Sequence, residues 1–323
     1  MEDSEEYYLR YLSDNPPSKE PQTLPMSIGS AFDAYAKSWL HEQLFGKGND
    51  PKYAFDALFE AQVEPHNRTW AKENGAYVFD MYKQSGALSD LLIELRQANG
   101  DPRFEFIVQG SIHGHREGKT TKIEQVVLHG RPDVAYVNHA GHLVVLDWKT
   151  NGYCSKTAPS PLPGYIRLRA AGRTNIGSHK NCQPMVVDGL MINISNYLET
   201  MGIQGEEWAT QLAIYHWLLG SPFCSHTLLV GIDQIVCDAS KGALPAIRVA
   251  EHRTRISKEW QQIVFDIALH IWGCIHDGHF FKELSFEQSQ ARCAVLDKQL
   301  ESLQGDGSTR DAWLASISRG KRI

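Results

Sequence analysis

Apolar positions recur at helical spacing through the first hundred residues, then switch to the alternation of strands. Ile28, Phe32, Tyr35 and Trp39 fall at i, i+4, i+7 and i+11, the stripe of a half-buried helix. That stripe predicts a helix over 28–45 with Ser27 as its N-cap. Two more helical stretches are expected over 51–62 and 69–98, with breaks at Pro65 and Gly86. After Pro102 the pattern is that of strands: 104–108, 123–137 and 143–148 are rich in β-branched and apolar residues. Residues 150–188, with Pro159, Pro161 and Pro163, read as a long irregular stretch. A helix over 206–219 is closed by Gly220, strands follow over 226–236 and 246–250, and an amphipathic helix covers 258–276. The order of helices, strands, helix, strands, helix predicts an α/β fold, a mixed central sheet flanked by helices. We expect an acidic arm over 1–26, one core domain over 27–283, and a helical tail over 284–323 with a basic end.

Composition narrows the class. The chain has 323 residues, is 42% hydrophobic and carries a formal net charge of −6. A chain of this size hides roughly 75% of its unfolded surface, so extensive disorder is excluded. The acidic start is no secretory signal, and no apolar run is long enough for a membrane span. The six cysteines form no C-x-x-C pair and read as reduced thiols of a cytoplasmic protein. One stretch, Gly114 to Thr120, looks like a phosphate-binding loop, but only three residues separate its glycines where that motif needs four. His113-x-His115 and His276 to His279 read as a hairpin tip and a helix end.

The strongest signal is Gly130-Arg131-Pro132-Asp133 followed by Leu143 to Lys149, around a turn at Asn138 to Gly141. A three-residue loop, His139 to Gly141, with Gly141 in the left-handed region sets the register so that Asp133 lies opposite Asp147. Lys149 shares their face and Trp148 points to the other. Two carboxylates and an ammonium then converge at the end of an apolar hairpin. Burying like charges costs several kcal/mol per ion unless compensated. A divalent cation is the natural compensation, and oxygen-only ligands favour Mg²⁺ or Mn²⁺.

These residues resemble the PD-(D/E)XK nuclease superfamily, whose pattern is Pro-Asp on one strand and Asp/Glu-x-Lys on the next. Gln211-Leu212-Ala213-Ile214-Tyr215 is similar to the Q-x-x-x-Y motif of the RecB-like, lambda-exonuclease-like branch, with Gln211 and Tyr215 on one helical face. Gly29 to Asp33 resembles that branch's first motif, with Asp33 where the branch has His; pairing of Asp33 with Lys37 at i, i+4 is the alternative. The resemblance implies a restriction-endonuclease-like core. It implies Asp133, Asp147, the Trp148 backbone carbonyl and Asp33 around one or two Mg²⁺ or Mn²⁺ ions. It also implies a catalytic Lys149, with Gln211 and Tyr215 positioning the strand. No iron–sulfur cluster is expected, because the early and late cysteines that hold one are missing.

From Trp148 to Val187 there is no acidic residue, while Lys149, Lys156, Arg167, Arg169, Arg173 and Lys180 are basic. This segment, with Tyr153 and Tyr165 interleaved, is expected to contact DNA. The reading is a metal-dependent deoxyribonuclease, an exonuclease of recombination, repair or phage DNA metabolism in a bacterial or phage-infected cell. Its partners would be DNA and a helicase or recombination protein, with no membrane. A structure-specific or restriction-type endonuclease and an inactive DNA-binding module are the competing readings.

Overall fold

The computed structural model describes residues 13, 20–112, 126–153, 166–169, 172–173, 184–187, 190–193, 197–226, 228–238, 244–276 and 290. The chain divides into two compact units, Pro21–Phe265 and a second made of Met1–Glu20 with Asp266–Ile323. The first carries the sheet and the candidate site.

The first helix, α1, spans Leu24–Phe45 and starts four residues earlier than the apolar stripe suggests. Pro25 is favoured in a first turn, and the Thr23 hydroxyl, not Ser27, accepts from the Met26 amide at 3.5 Å. Ser27 lies buried inside the helix and bonds the Leu24 carbonyl. Next come α2 (Phe55–Gln62), α3 (Arg68–Ser85) and α4 (Ala87–Arg96). Gly86, at φ +96°, breaks α3 from α4 as expected, in a conformation that suits glycine. Helices α1 and α3 touch where Gly75 faces Ala31; a Cβ on Gly75 would sit 2.5 Å from that of Ala31.

The expected strand over 104–108 is interrupted. Strand β1 is Arg103–Phe104, Glu105 turns with φ +43°, and β2 resumes at Val108–Ile112. The next expected strand is likewise two, β3 (Val126–Gly130) and β4 (Val134–Val137), parted by Arg131-Pro132-Asp133. Strand β5 runs Leu143–Asn151. The 150–188 stretch is not wholly irregular: β6 (Ile166–Arg169), β7 (Gly172–Arg173) and β8 (Pro184–Val187) lie in it, followed by β9 (Leu190–Asn193). Helix α5 (Ile203–Leu218) leads to β10 (Leu229–Cys237), β11 (Ile247–Arg255) and α6 (Lys258–His276).

Seven strands form one mixed sheet in the order β1-β4-β5-β10-β11-β6-β7. Among the described strands, β5 and β10 are the pair that runs parallel, and α5 provides the crossover between them. Ribbons β2-β3 and β8-β9 stand apart. One face of the sheet, carrying Val144, Leu146 and Trp148, packs against α1, α3 and α4 in the main core. There Phe32 meets Tyr82 and Trp148 edge-on, with ring centres 5.4 and 6.2 Å away. The other face carries Lys149 toward α5. No described helix is long and apolar enough to cross a membrane.

That core face also buries charge. Arg253 on β11 bonds Asp233 on β10 at 2.6 Å, Glu251 at 3.3 Å and Glu94 of α4 at 3.4 Å. The Tyr82 hydroxyl donates to Asp233, and the Trp148 indole donates to the Tyr82 hydroxyl at 3.2 Å. Trp148 is therefore held from behind, one residue from Asp147.

Candidate metal and phosphoester site

The β4–β5 hairpin fixes the two central carboxylates. Gly141 turns at φ +86°, its amide donating to the Asn138 carbonyl at 2.9 Å. The Asn138 side chain caps the same loop by accepting from the Ala140 and His142 amides. Pairs run from Val137–Leu143 to Val134–Leu146, so one step further Asp133 faces Asp147, the register expected from the loop. The Trp148 amide donates to Asp133 Oδ2 at 3.0 Å, and the two carboxyl groups are hydrogen-bonded to each other. Burial pushes Asp147 up to about 8; the Asp133 charge adds to this and Lys149 opposes it. Burial acts the same way on Asp133, but Lys37, the Asp147 hydrogen bond and the Trp148 amide hold it below its ordinary value.

A chain of contacts leads away from this pair. The Lys149 ammonium forms an ion pair with Asp147 and donates to Gln211 Oε1 at 2.8 Å. The Gln211 amide donates to the Tyr215 hydroxyl at 2.7 Å, and the Arg131 amide donates to the same oxygen. Gly130 makes room for this: a Cβ there would stand 2.7 Å from the Tyr215 ring. The structure thus brings together Asp133, Asp147, Lys149, Gln211 and Tyr215. Trp148 contributes its amide here, while its indole lies in the core.

Asp33 enters from α1 on the other side of Asp133. Its Oδ2 pairs with Lys37 at 2.7 Å, the alternative weighed from the sequence, and accepts from Gln62 at 2.9 Å. Lys37 also bonds Asp133 at 2.9 Å and Glu105. Among the described residues, Asp33, Glu105 and Asp133 form the one acidic group with ligand oxygens within 4.8 Å of one another; Asp147 is outside it. Burial and the Asp133 charge raise Asp33 well above its ordinary value against the pull of Lys37. Burial alone would lower the Lys37 amine, yet Asp133, Asp33 and Glu105 together raise it.

Glu105, Gln62 and the central place of Lys37 escaped the sequence reading. Glu105 sits in a Phe-Glu-Phe run that alternates as any half-buried strand does; its positive φ, which turns it toward Asp133, leaves no local trace. Gln62 carries no motif. The donor set is all oxygen and partly buried, and Asp33 Oδ1 has no hydrogen-bond partner among the described residues, so the residues fit a hard divalent cation.

The basic residues fall elsewhere. Lys156 and Lys180 lie outside the described residues, as do 114–120. Arg167 and Arg169 are on β6, next to the sheet edge, and Arg173 is on the edge strand β7. Strand β6 is three strands from β5, about 14 Å at ordinary strand spacing.

Residues 5–164 match the model of the PD-(D/E)XK nuclease superfamily. The matched span contains Asp33, Glu105, Asp133, Asp147 and Lys149, and the mixed α/β sheet is consistent with that superfamily's restriction-endonuclease-like core. The match points to a metal-dependent nuclease, and the acidic group gives it a possible metal site. No curated protein matches the chain. A solved structure described as "Crystal structure of SSO0001" aligns over 84% of this chain and 89% of its own, at 14% identity and a TM-score of 0.25, too low for any inference.

Proposed function

We propose that this protein is a metal-dependent deoxyribonuclease of the PD-(D/E)XK superfamily, with RecB-like chemistry. The observation that carries the proposal is the continuous contact chain Asp133, Asp147, Lys149, Gln211, Tyr215 at the open end of one hairpin. Asp133 and Asp147, with Asp33 and the Trp148 carbonyl completing the shell, would hold Mg²⁺ or Mn²⁺. Such an ion supplies Lewis-acid polarisation of the phosphoryl oxygen and a more acidic water. Lys149 places a positive charge beside the reacting phosphate, where charge grows in the transition state. Gln211 holds the Lys149 ammonium in that position. Tyr215 fixes Gln211 and ties it to the strand break at Arg131. The core domain would span 27–283, flanked by the acidic arm and the helical tail. An exonuclease working beside a helicase or recombination protein, in the cytoplasm of a bacterial or phage-infected cell, is the biology the Gln211–Tyr215 pair suggests.

One digest series tests this: linear duplex, closed circle, nicked circle and single-stranded DNA, each with Mg²⁺, Mn²⁺ or EDTA. Metal-dependent loss of linear but not closed circular DNA is expected. Cleavage of closed circles would replace the exonuclease with an endonuclease. Metal-dependent DNA binding without cleavage would replace both with a binding module.

The metal should compete with a proton. Asp147 titrates near 8 in the metal-free protein, so below that pH it must lose a proton before it can ligate. Mg²⁺ affinity should fall about tenfold per pH unit below 8. Because its folded-state value is raised, Asp147 favours the metal-free fold most at low pH, and that contribution is lost as pH rises through 8. Buried Glu251, also raised to about 8, acts in the same direction from β11, two strands from β5. The Tm gain from 10 mM Mg²⁺, on the order of tens of Kd, should therefore be larger at pH 8.5 than at pH 6. Equal gains at both values would remove Asp147 from the ligand set.

The basic segment makes a separate proposal. If Arg167, Arg169 and Arg173 meet duplex phosphates, changing all three to Ala should flatten log Kd against log salt by roughly 2 to 3 units. The change should be independent of DNA sequence. An unaltered slope in fluorescence anisotropy titrations would send the DNA path elsewhere.

A further inference from the structure

Lys37 does something in the site that the nuclease motifs do not account for. It is 1% exposed, yet its ammonium lies inside the acidic group, bonded to Asp33, Glu105 and Asp133. Apart from Asp33 Oδ1, the remaining bonding capacity of the group is turned toward fixed donors. Gln62 reaches Asp33 at 2.9 Å and Glu105 at 3.1 Å, Arg131 pairs with the other Glu105 oxygen, and the Trp148 amide takes the other Asp133 oxygen. The Lys37 stem is held as well. It springs from α1 four residues after Asp33 and one turn from the buried Phe32, and its ammonium lies 6.0 Å from the centre of the Trp148 ring. A side chain buried to this degree has no aqueous position to swing into. Asp133 is the residue the two halves share: it belongs to the Lys37 group on one side and faces Asp147 on the other.

We propose that Lys37 is a built-in cation, supplying within the Asp33–Glu105–Asp133 group the positive charge that a second divalent ion would otherwise bring, so that the site takes one divalent ion per chain. This rests on the nuclease reading. It assigns Lys37 a positioning role: it holds Asp133 in place and neutralises the group, and it touches no substrate. Two doubly charged ions sharing Asp133 would meet a full ammonium within bonding distance of the same carboxylate. Repulsion between them is largest where water is excluded. Glu105 then serves Lys37 and not the metal, which explains why an acid with no place in the motifs turns into the site.

Isothermal titration of the metal-stripped full chain with Mn²⁺ tests the inference without reading activity. Wild type should bind one Mn²⁺. Lys37→Met should bind two, because the emptied group becomes a second carboxylate site, and its Tm should rise with Mn²⁺ far more than that of wild type. Glu105→Gln should still bind one, with affinity changed less than about tenfold. Two Mn²⁺ on wild type, or a folded Lys37→Met that still binds one, would overturn the inference. If Lys37→Met does not fold, Glu105→Gln decides: retention of the single Mn²⁺ supports it, and loss of Mn²⁺ binding overturns it by making Glu105 a ligand. Wild type that cleaves DNA with two bound Mn²⁺ would leave the nuclease reading intact and sink this inference alone. A wild type that neither cleaves nor binds Mn²⁺ would end both.

Discussion

Lys149→Ala is expected to lower single-turnover cleavage of linear duplex in Mg²⁺ by about 10²- to 10³-fold, the usual cost of removing one preorganised charge or donor from a transition state. Lys149 is the only described cation bonded to Asp147, and Gln211 holds its ammonium at 2.8 Å. The loss should fall on kcat, since in the proposed function the side chain acts on the reacting phosphate and not on a remote stretch of DNA. The fold should survive. Lys149 is partly exposed at the end of β5, and its removal leaves the hairpin register untouched. Lys149→Arg keeps the charge but not the compact geometry, and should recover only part of the rate. A Lys149→Ala protein cleaving within about threefold of wild type would place the transition-state charge elsewhere.

Arg253→Ala should cost the most stability. Its guanidinium is the shared partner of Asp233, Glu251 and Glu94 beneath the sheet, and removing one member of such a buried set costs about 3–5 kcal/mol. For a unit of this size that is a Tm drop of roughly 6–20 °C. Lowering the pH should return part of the loss, because Glu251 already takes up a proton near 8 and escapes its charge below that. A second change, Asp233→Asn in the Arg253→Ala background, should cost less than it does alone, by the coupling expected of neighbours in one network. A melting temperature within 2 °C of wild type, measured to about 1 °C, would contradict the ion-pair account.

How far the site could be read in the sequence depended on distance along the chain. The Asp133–Asp147 pairing was legible because a local loop sets it. Gly141 supplies the turn, and strand periodicity then decides which side chains share a face. Gln211 and Tyr215 were legible because four residues on a helix make one face. The Lys37 group was not. Glu105 is 68 residues from Lys37, and it arrives through a left-handed backbone step inside what reads as an ordinary strand. The α1 start moved for a simpler reason: a Thr-Leu-Pro first turn outweighed a serine at the beginning of the apolar stripe. Strand β6 hid within a Pro-rich, basic stretch because its pairing comes from β11, a partner about 80 residues away.

We expect this chain to hydrolyse DNA with a divalent ion held at Asp133 and Asp147. The most direct measurement is single-turnover cleavage of an end-labelled linear duplex by excess wild-type protein, with Mg²⁺ and then with EDTA. Labelled products are expected in Mg²⁺ and none in EDTA. An intact duplex in Mg²⁺ and in Mn²⁺, or cleavage undiminished by EDTA, would contradict that expectation.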